Sequence, residues 1–287
     1  MRSFFKDLNP VPKAVYFAAV IILSCISLHP FILFISGLGA FLSLYAVAGA
    51  EKAFGNLHRI CLPGVIILTG VNVLFNHYGV TTLARFPGGN ALTLEAIIYG
   101  LALSVLTVNV LTWCRVLSDT MNSESFLYIF GGLAPDICIS LTLALRFIPL
   151  IIDEYRQTIA ARRQFESTGA VFAVHNLSAV IIRSLERSVQ TAQAMKMRGL
   201  GSSKRTDFSL YFMSRRDWAV ILFCMIFAGG SFAGVMGGLF YARYNPVIKI
   251  DFARGASQYG AAFVLALLFL FPFISSVLER RLIWEKY

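Results

Sequence analysis

Charge is what this chain of 287 residues has least of: aspartate, glutamate, lysine and arginine together make 14%, while 57% of the residues are apolar. Soluble globular domains typically carry about a quarter of their residues charged. With a mean hydropathy of +0.70, a water-soluble fold is excluded and an integral membrane protein is expected. Histidine is as sparse: His29, His58, His77 and His175 lie far apart. Cys25, Cys61, Cys114, Cys138 and Cys224 are scattered through apolar runs with no C-x-x-C spacing, so they read as small core residues rather than a metal or disulfide frame. No G-x-x-x-x-G-K-[ST] phosphate loop occurs, which excludes ATP hydrolysis by that route. Aspartates and histidines nowhere cluster as a lipid head-group enzyme would need them. No catalytic residue, metal site or cofactor is therefore expected.

Hydropathy divides the chain into three parts. Residues 1–116 contain four apolar spans, Ala14 to Leu28, Phe31 to Ala50, Ile60 to Phe75 and Leu92 to Val116. A polar knot from Glu51 to Arg59 separates the second from the third, and residues 76–90 read as a loop. Residues 117–216 contain no uninterrupted apolar run of spanning length. Residues 217–287 return to lipid with Trp218 to Tyr241 and Tyr259 to Leu278, making six spans of roughly the 20 residues a crossing takes. Inside these spans ionisable residues are nearly absent. Glu95 and Arg115 sit near the ends of the fourth, as interface anchors do, whereas a proton relay or secondary transporter would keep such groups at mid-depth. Asn72 and Asn109 are embedded and polar, the type that bridges helices.

What is present is a concentration of positive charge. Between residues 146 and 216 twelve lysines and arginines face five carboxylates, seven of the net ten positive charges. With the amino terminus inside, six spans put twenty-one basic residues on the inner side and leave Arg85, Arg243, Lys249 and Arg254 outside. The positive-inside rule thus selects a multi-pass protein of the cell membrane with both termini cytoplasmic.

Within the basic segment, Leu177, Ile181, Leu185, Val189, Ala192 and Met195 advance in steps of four and three, one face of a helix. Arg183 and Arg187 form a separate row. Gly199 stops the helix where a left-handed residue is needed. Before it, a helix begins or kinks at Pro149, with Ile152, Tyr155 and Ile159 on one face, and ends over Gln164 to Gly169. On pattern alone the second helix also fits an amphipathic helix lying in the headgroup layer.

A resemblance weighs against that simpler reading. Ala194-Met-Lys-Met-Arg198-Gly199 resembles the Ala-x-x-x-Arg-Gly signature that ends a coupling helix in the T component of energy-coupling factor (ECF) transporters. Leu145-Arg146-Phe147-Ile148-Pro149, with Asp153-Glu154 after it, resembles the start of that family's preceding coupling helix. Arg205-Thr206-Asp207-Phe208-Ser209 is a third similar piece, and the likeness covers about residues 90 to 218. One departure stands out. The family carries an Ala-Arg-Gly or Ala-Arg-Ser triplet near the end of the first helix, where this chain has Ala160-Ala161-Arg162-Arg163-Gln164, so the motif carries over only onto Ala161 and Arg162.

The resemblance implies an all-α polytopic fold with two or more long cytoplasmic coupling helices between spans four and five. It implies a non-catalytic subunit whose Arg198, Ala194, Gly199, Ala161 and Arg162 dock two ABC ATPase subunits, identical or different, with Arg146, Pro149, Glu186 and Arg187 supporting the helices. ATP-driven movement of the ATPases would pass through these helices to a small membrane-embedded S component that binds the vitamin or metal ion taken up. Lipid is the remaining partner, and no nucleic acid is expected. A generic ABC permease forming its own substrate path is the alternative, disfavoured by two long helices in one insertion. Guanidinium suits such docking because its planar fork of donors stays charged and holds carboxylates or carbonyls from a fixed direction.

Overall fold

A computed structural model describes residues 8–76, 79–85, 91–131, 134–162, 170–201, 211–244, 248–250 and 255–284. In chain order the elements are α1 (Pro10–Ile26), α2 (Pro30–Ala48), α3 (Ala50–Phe75), β1 (Thr82–Arg85), β2 (Ala91–Thr93), α4 (Leu94–Thr120), α5 (Ser123–Gly131), α6 (Pro135–Arg162), α7 (Ala170–Met197), α8 (Arg215–Met236), β3 (Ala242–Arg243), β4 (Lys249–Ile250) and α9 (Ala256–Trp284). They form two units, residues 1–122 with 211–287, and residues 123–210.

The first unit is a helical bundle held from within by one tryptophan. Trp113 of α4 is fully buried and meets Tyr16, Phe17 and Phe269 with ring centroids 6.1 to 6.4 Å apart. Its indole N–H donates to Ser36 Oγ at 3.2 Å, and the Tyr16 hydroxyl donates to the Leu268 carbonyl at 2.9 Å. Both ring dipoles are thus satisfied where no water reaches them. Asn109 does bridge helices, its amide donating to the Leu33 carbonyl across α4 and α2 at 2.8 Å. Asn72 instead accepts from Asn76, the residue that caps its own helix, at 3.1 Å. Gly39 lets α2 and α9 touch: a Cβ there would lie 2.8 Å from the Phe269 carbonyl oxygen. At the helix starts, Asp217 accepts from the Ser214 amide in a capping box and from the Asn9 amide, so α1 and α8 begin side by side.

Six helices are long and apolar enough to cross a membrane, though they are not the six expected. Pro10–Ile26 has 17 residues, at the short limit of a crossing. Pro135–Ala161 joins the set, against the expectation that residues 117–216 hold nothing of spanning length. A single arginine, Arg146, breaks its apolar run without lowering the average enough to matter. The expected polar knot from Glu51 to Arg59 is helical too. It runs through a π turn, Leu57–Cys61, into the apolar stretch that follows. Pro63 lies just past that turn and lacks an amide hydrogen, while Asn56, Cys61 and Thr112 gather beside it within 3.5 to 3.6 Å, the insertion and lost bond that widen a helical turn. The expected loop of residues 76–90 contains β1, which pairs antiparallel with β2, and β3 pairs with β4. Among the described residues these two short antiparallel pairs are the departures from an all-α fold.

The second unit contains α5, α6 and α7, with α6 packed on both of the others. Of the two expectations at Pro149, a helix start or a kink within one, the start is overturned for α6. The helix starts at Pro135, where a missing amide hydrogen costs nothing, and runs through Pro149 in its interior.

Candidate coupling site

The end of α7 is built by its own backbone. Leu200 N–H donates to the Met195 carbonyl and Gly199 N–H to the Lys196 carbonyl, both at 3.0 Å, the paired bonds of a Schellman cap. That cap needs a left-handed residue, and Gly199 supplies it with φ +86°. Arg198, just before it, keeps its helical bond to the Ala194 carbonyl at 3.1 Å. The Arg198 side chain is exposed, and among the described residues no ion pair engages it. Ala194 is half-buried four residues back. The result is a capped helix end that carries an exposed guanidinium beside a residue without a side chain.

Helix α6 ends with the other carried-over motif. Ala161 is exposed and Arg162 is its last residue. The residues expected to close this helix, Gln164 to Gly169, lie outside the described residues, as does the third similar piece, Arg205 to Ser209. Arg146 and Pro149 are exposed on α6, and Glu186 is exposed on α7.

The arginine row of α7 has a partner that sequence reasoning missed. Glu154 of α6 sits between Arg183 and Arg187: Oε1 lies 3.8 Å from Arg183 Nε and Oε2 lies 4.0 Å from Arg187 Nη1. Its side chain is only 18% exposed, against 67% and 52% for the two arginines. Neighbouring Asp153 turns outward and pairs on its own helix with Arg156 at 3.7 Å. The one available signal was that Arg183 and Arg187 stand a helical turn apart, so a single carboxylate could serve both.

The apolar row of α7 does not pack inside this unit. Leu177, Ile181, Leu185 and Val189 are all half exposed or more. The covered face holds Asn176, Val180, Ser184, Ser188, Thr191 and Ala194, mostly small or polar. Helix α6 repeats the pattern, exposing Ile137, Leu141, Leu145, Ile148 and Ile152. Two helices that leave this much apolar surface uncovered are shaped for lipid or a greasy partner. Among the described residues no three histidine, cysteine, aspartate or glutamate side chains converge as metal ligands.

Six apolar helices of spanning length, with a separate unit that carries a capped, arginine-tipped helix, define a class, the multi-pass membrane protein. The family model that matches residues 1–208 is CbiQ, described as cobalt transport protein, and the chain belongs to this family of ECF transporter transmembrane T components. It is also similar to the energy-coupling factor transporter transmembrane protein EcfT of Lactobacillus helveticus (strain DPC 4571), with 24% identity over 192 residues, 63% of this chain and 69% of that protein.

Proposed function

We propose that this T component is the mechanical link of an ECF importer, carrying ATP-driven movement of two cytoplasmic ATPase subunits to a membrane-embedded S component that takes up a vitamin or metal ion. The observation that carries the reading is the end of α7, where a Schellman cap at Gly199 presents the exposed guanidinium of Arg198. Such a tip offers several charge-assisted hydrogen bonds to a groove at little entropic cost, because the backbone beneath it is already fixed. Ala161 and Arg162 at the end of α6 are the second contact.

Chain parity supports placing the two ends of the stretch that carries both helices on the cytoplasmic side. Asn9 and Asp217 touch, so α1 and α8 start from one face of the bundle. Counting α1, α2, α3 and α4 as crossings returns the chain at Thr120 to that same face. The stretch between Thr120 and Arg215 therefore leaves and re-enters on one side, which with the excess of lysine and arginine there is the cytoplasm. On this reading the exposed apolar rows of α6 and α7 receive the S component.

The test is co-purification. The tagged chain, solubilised from membranes of its own host, should bring down ABC ATPase subunits and a small, very apolar membrane protein. Purified alone, it should hydrolyse no ATP. Recovery of ATPases without any small membrane partner, together with tight binding of substrate by the chain itself, would favour a permease that forms its own path.

A further inference from the structure

We propose that Glu154 is the pivot at which α6 and α7 are held and turn against each other, a positioning residue for the coupling movement rather than a docking residue. Its role in coupling rests on the function proposed above; its role in holding the two helices does not.

Three observations converge on it. The first is geometry: one carboxylate, largely withdrawn from solvent, stands between two guanidiniums spaced one turn apart on the facing helix, each oxygen serving one of them. Separations of 3.8 and 4.0 Å are those of ion pairs without tight hydrogen-bond alignment. Such pairs resist separation of the helices while tolerating a change of angle. If α7 shifts along its axis, Glu154 gains on one arginine as it loses the other, so the pairing survives the movement.

The second is the seam around it. Val180, Ser184, Ser188, Thr191 and Ala194 present short side chains on the covered face of α7. The hydroxyls of Ser184, Ser188 and Thr191 donate to carbonyls of their own helix, at Val180, Leu185 and Arg187. Thr158 of α6 does the same, bonding back to the Glu154 carbonyl. None of these groups ties one helix to the other. The Glu154 pairs are the polar tie between α6 and α7 among the described residues.

The third is leverage. Past the pairs, α6 continues from Glu154 to Arg162 and α7 from Arg187 to the capped turn at Arg198. At 1.5 Å per residue these arms are about 12 and 16 Å long. A small rotation at Glu154 therefore becomes a larger displacement at both arginine-bearing ends.

The experiment measures distances between spin labels on Gln157→Cys of α6 and Gln193→Cys of α7, both exposed positions, in the full chain with its native cysteines replaced. The unsubstituted pair should give one narrow distance distribution, and Glu154→Gln should at least double its width. Arg183→Gln with Arg187→Gln should broaden it as much, and adding Glu154→Gln to that pair should broaden it no further, since the substitutions remove one shared interaction. Restoring charge in the reverse sense, with Glu154→Lys, Arg183→Glu and Arg187→Glu together, should narrow it again. In complex with the ATPases, Glu154→Gln should keep their recovery within twofold of normal yet lose at least two thirds of the distance change on adding ATP. Unchanged width in Glu154→Gln, or additive broadening by the two sets of glutamines, would overturn the pivot. Should the unsubstituted chain recruit no ATPase, the proposed function falls, and the widths still decide the pivot.

Discussion

At the scale of single residues, Arg198 and Gly199 form a unit in which each makes the other useful. The glycine closes the helix in a conformation that costs an L-residue roughly 1 to 2 kcal/mol, and so fixes the backbone under the arginine. Gly199→Ala should loosen this turn, seen as faster hydrogen exchange at the amides of Arg198, Gly199 and Leu200, while the amides of residues 180–190 keep their protection. Equal loosening along the whole of α7 would show that the cap does not act locally. Arg198→Lys should restore ATPase assembly only in part when compared with Arg198→Ala, because it keeps the charge and loses the fork. Arg187→Ala should reduce assembly less than Arg198→Ala, since an exposed ion pair of this type contributes about 0 to 1 kcal/mol. The cap could be read from the sequence because a glycine after an amphipathic run has one common use. The Glu154 pairing could not, because ion pairs between helices some thirty residues apart follow no period along the chain.

At the scale of elements, hydropathy located the long helices of the bundle and misjudged the extent of α3 and α6 for identifiable reasons. A proline at the first turn starts a helix and a proline inside one need not stop it, as Pro135 and Pro149 show in α6. One arginine interrupted an otherwise lipid-compatible stretch at Arg146, and a π turn carried α3 through residues that read as a polar break. The covered face of α7 was also invisible, because an exposed apolar row and a covered row of small residues reverse the usual pattern of a soluble helix. Packing between α2 and α9 yields a direct test. Gly39→Ala puts a methyl group 2.8 Å from a backbone oxygen that cannot rotate away, and should destabilise the bundle by about 1 to 3 kcal/mol, the range for overpacked cores. Thermal unfolding in detergent should show a lower midpoint for Gly39→Ala and none for Gly70→Ala, where a Cβ meets open space. Equal midpoints for the two variants would mean the close approach is not maintained in the membrane.

At the scale of the whole molecule, membrane sidedness tests the proposed division of the chain between lipid and cytoplasm. In a cysteine-free background, a cysteine at the exposed Val80 should be modified by an impermeant maleimide in intact cells. One at the exposed Gln193 of α7 should be modified only after the membrane is opened. Modification of Gln193→Cys from outside would overturn the orientation and the docking it permits. Docking itself is tested most directly by the double change Arg162→Ala, Arg198→Ala in the tagged chain co-expressed with its ATPases. Each lost charge-assisted hydrogen bond is worth on the order of 1.5 to 3 kcal/mol, so ATPase recovery should fall at least tenfold while expression and membrane insertion stay near normal. Full recovery of the ATPases with both arginines removed would contradict the account and reduce α7 to a helix that lies in the headgroup layer.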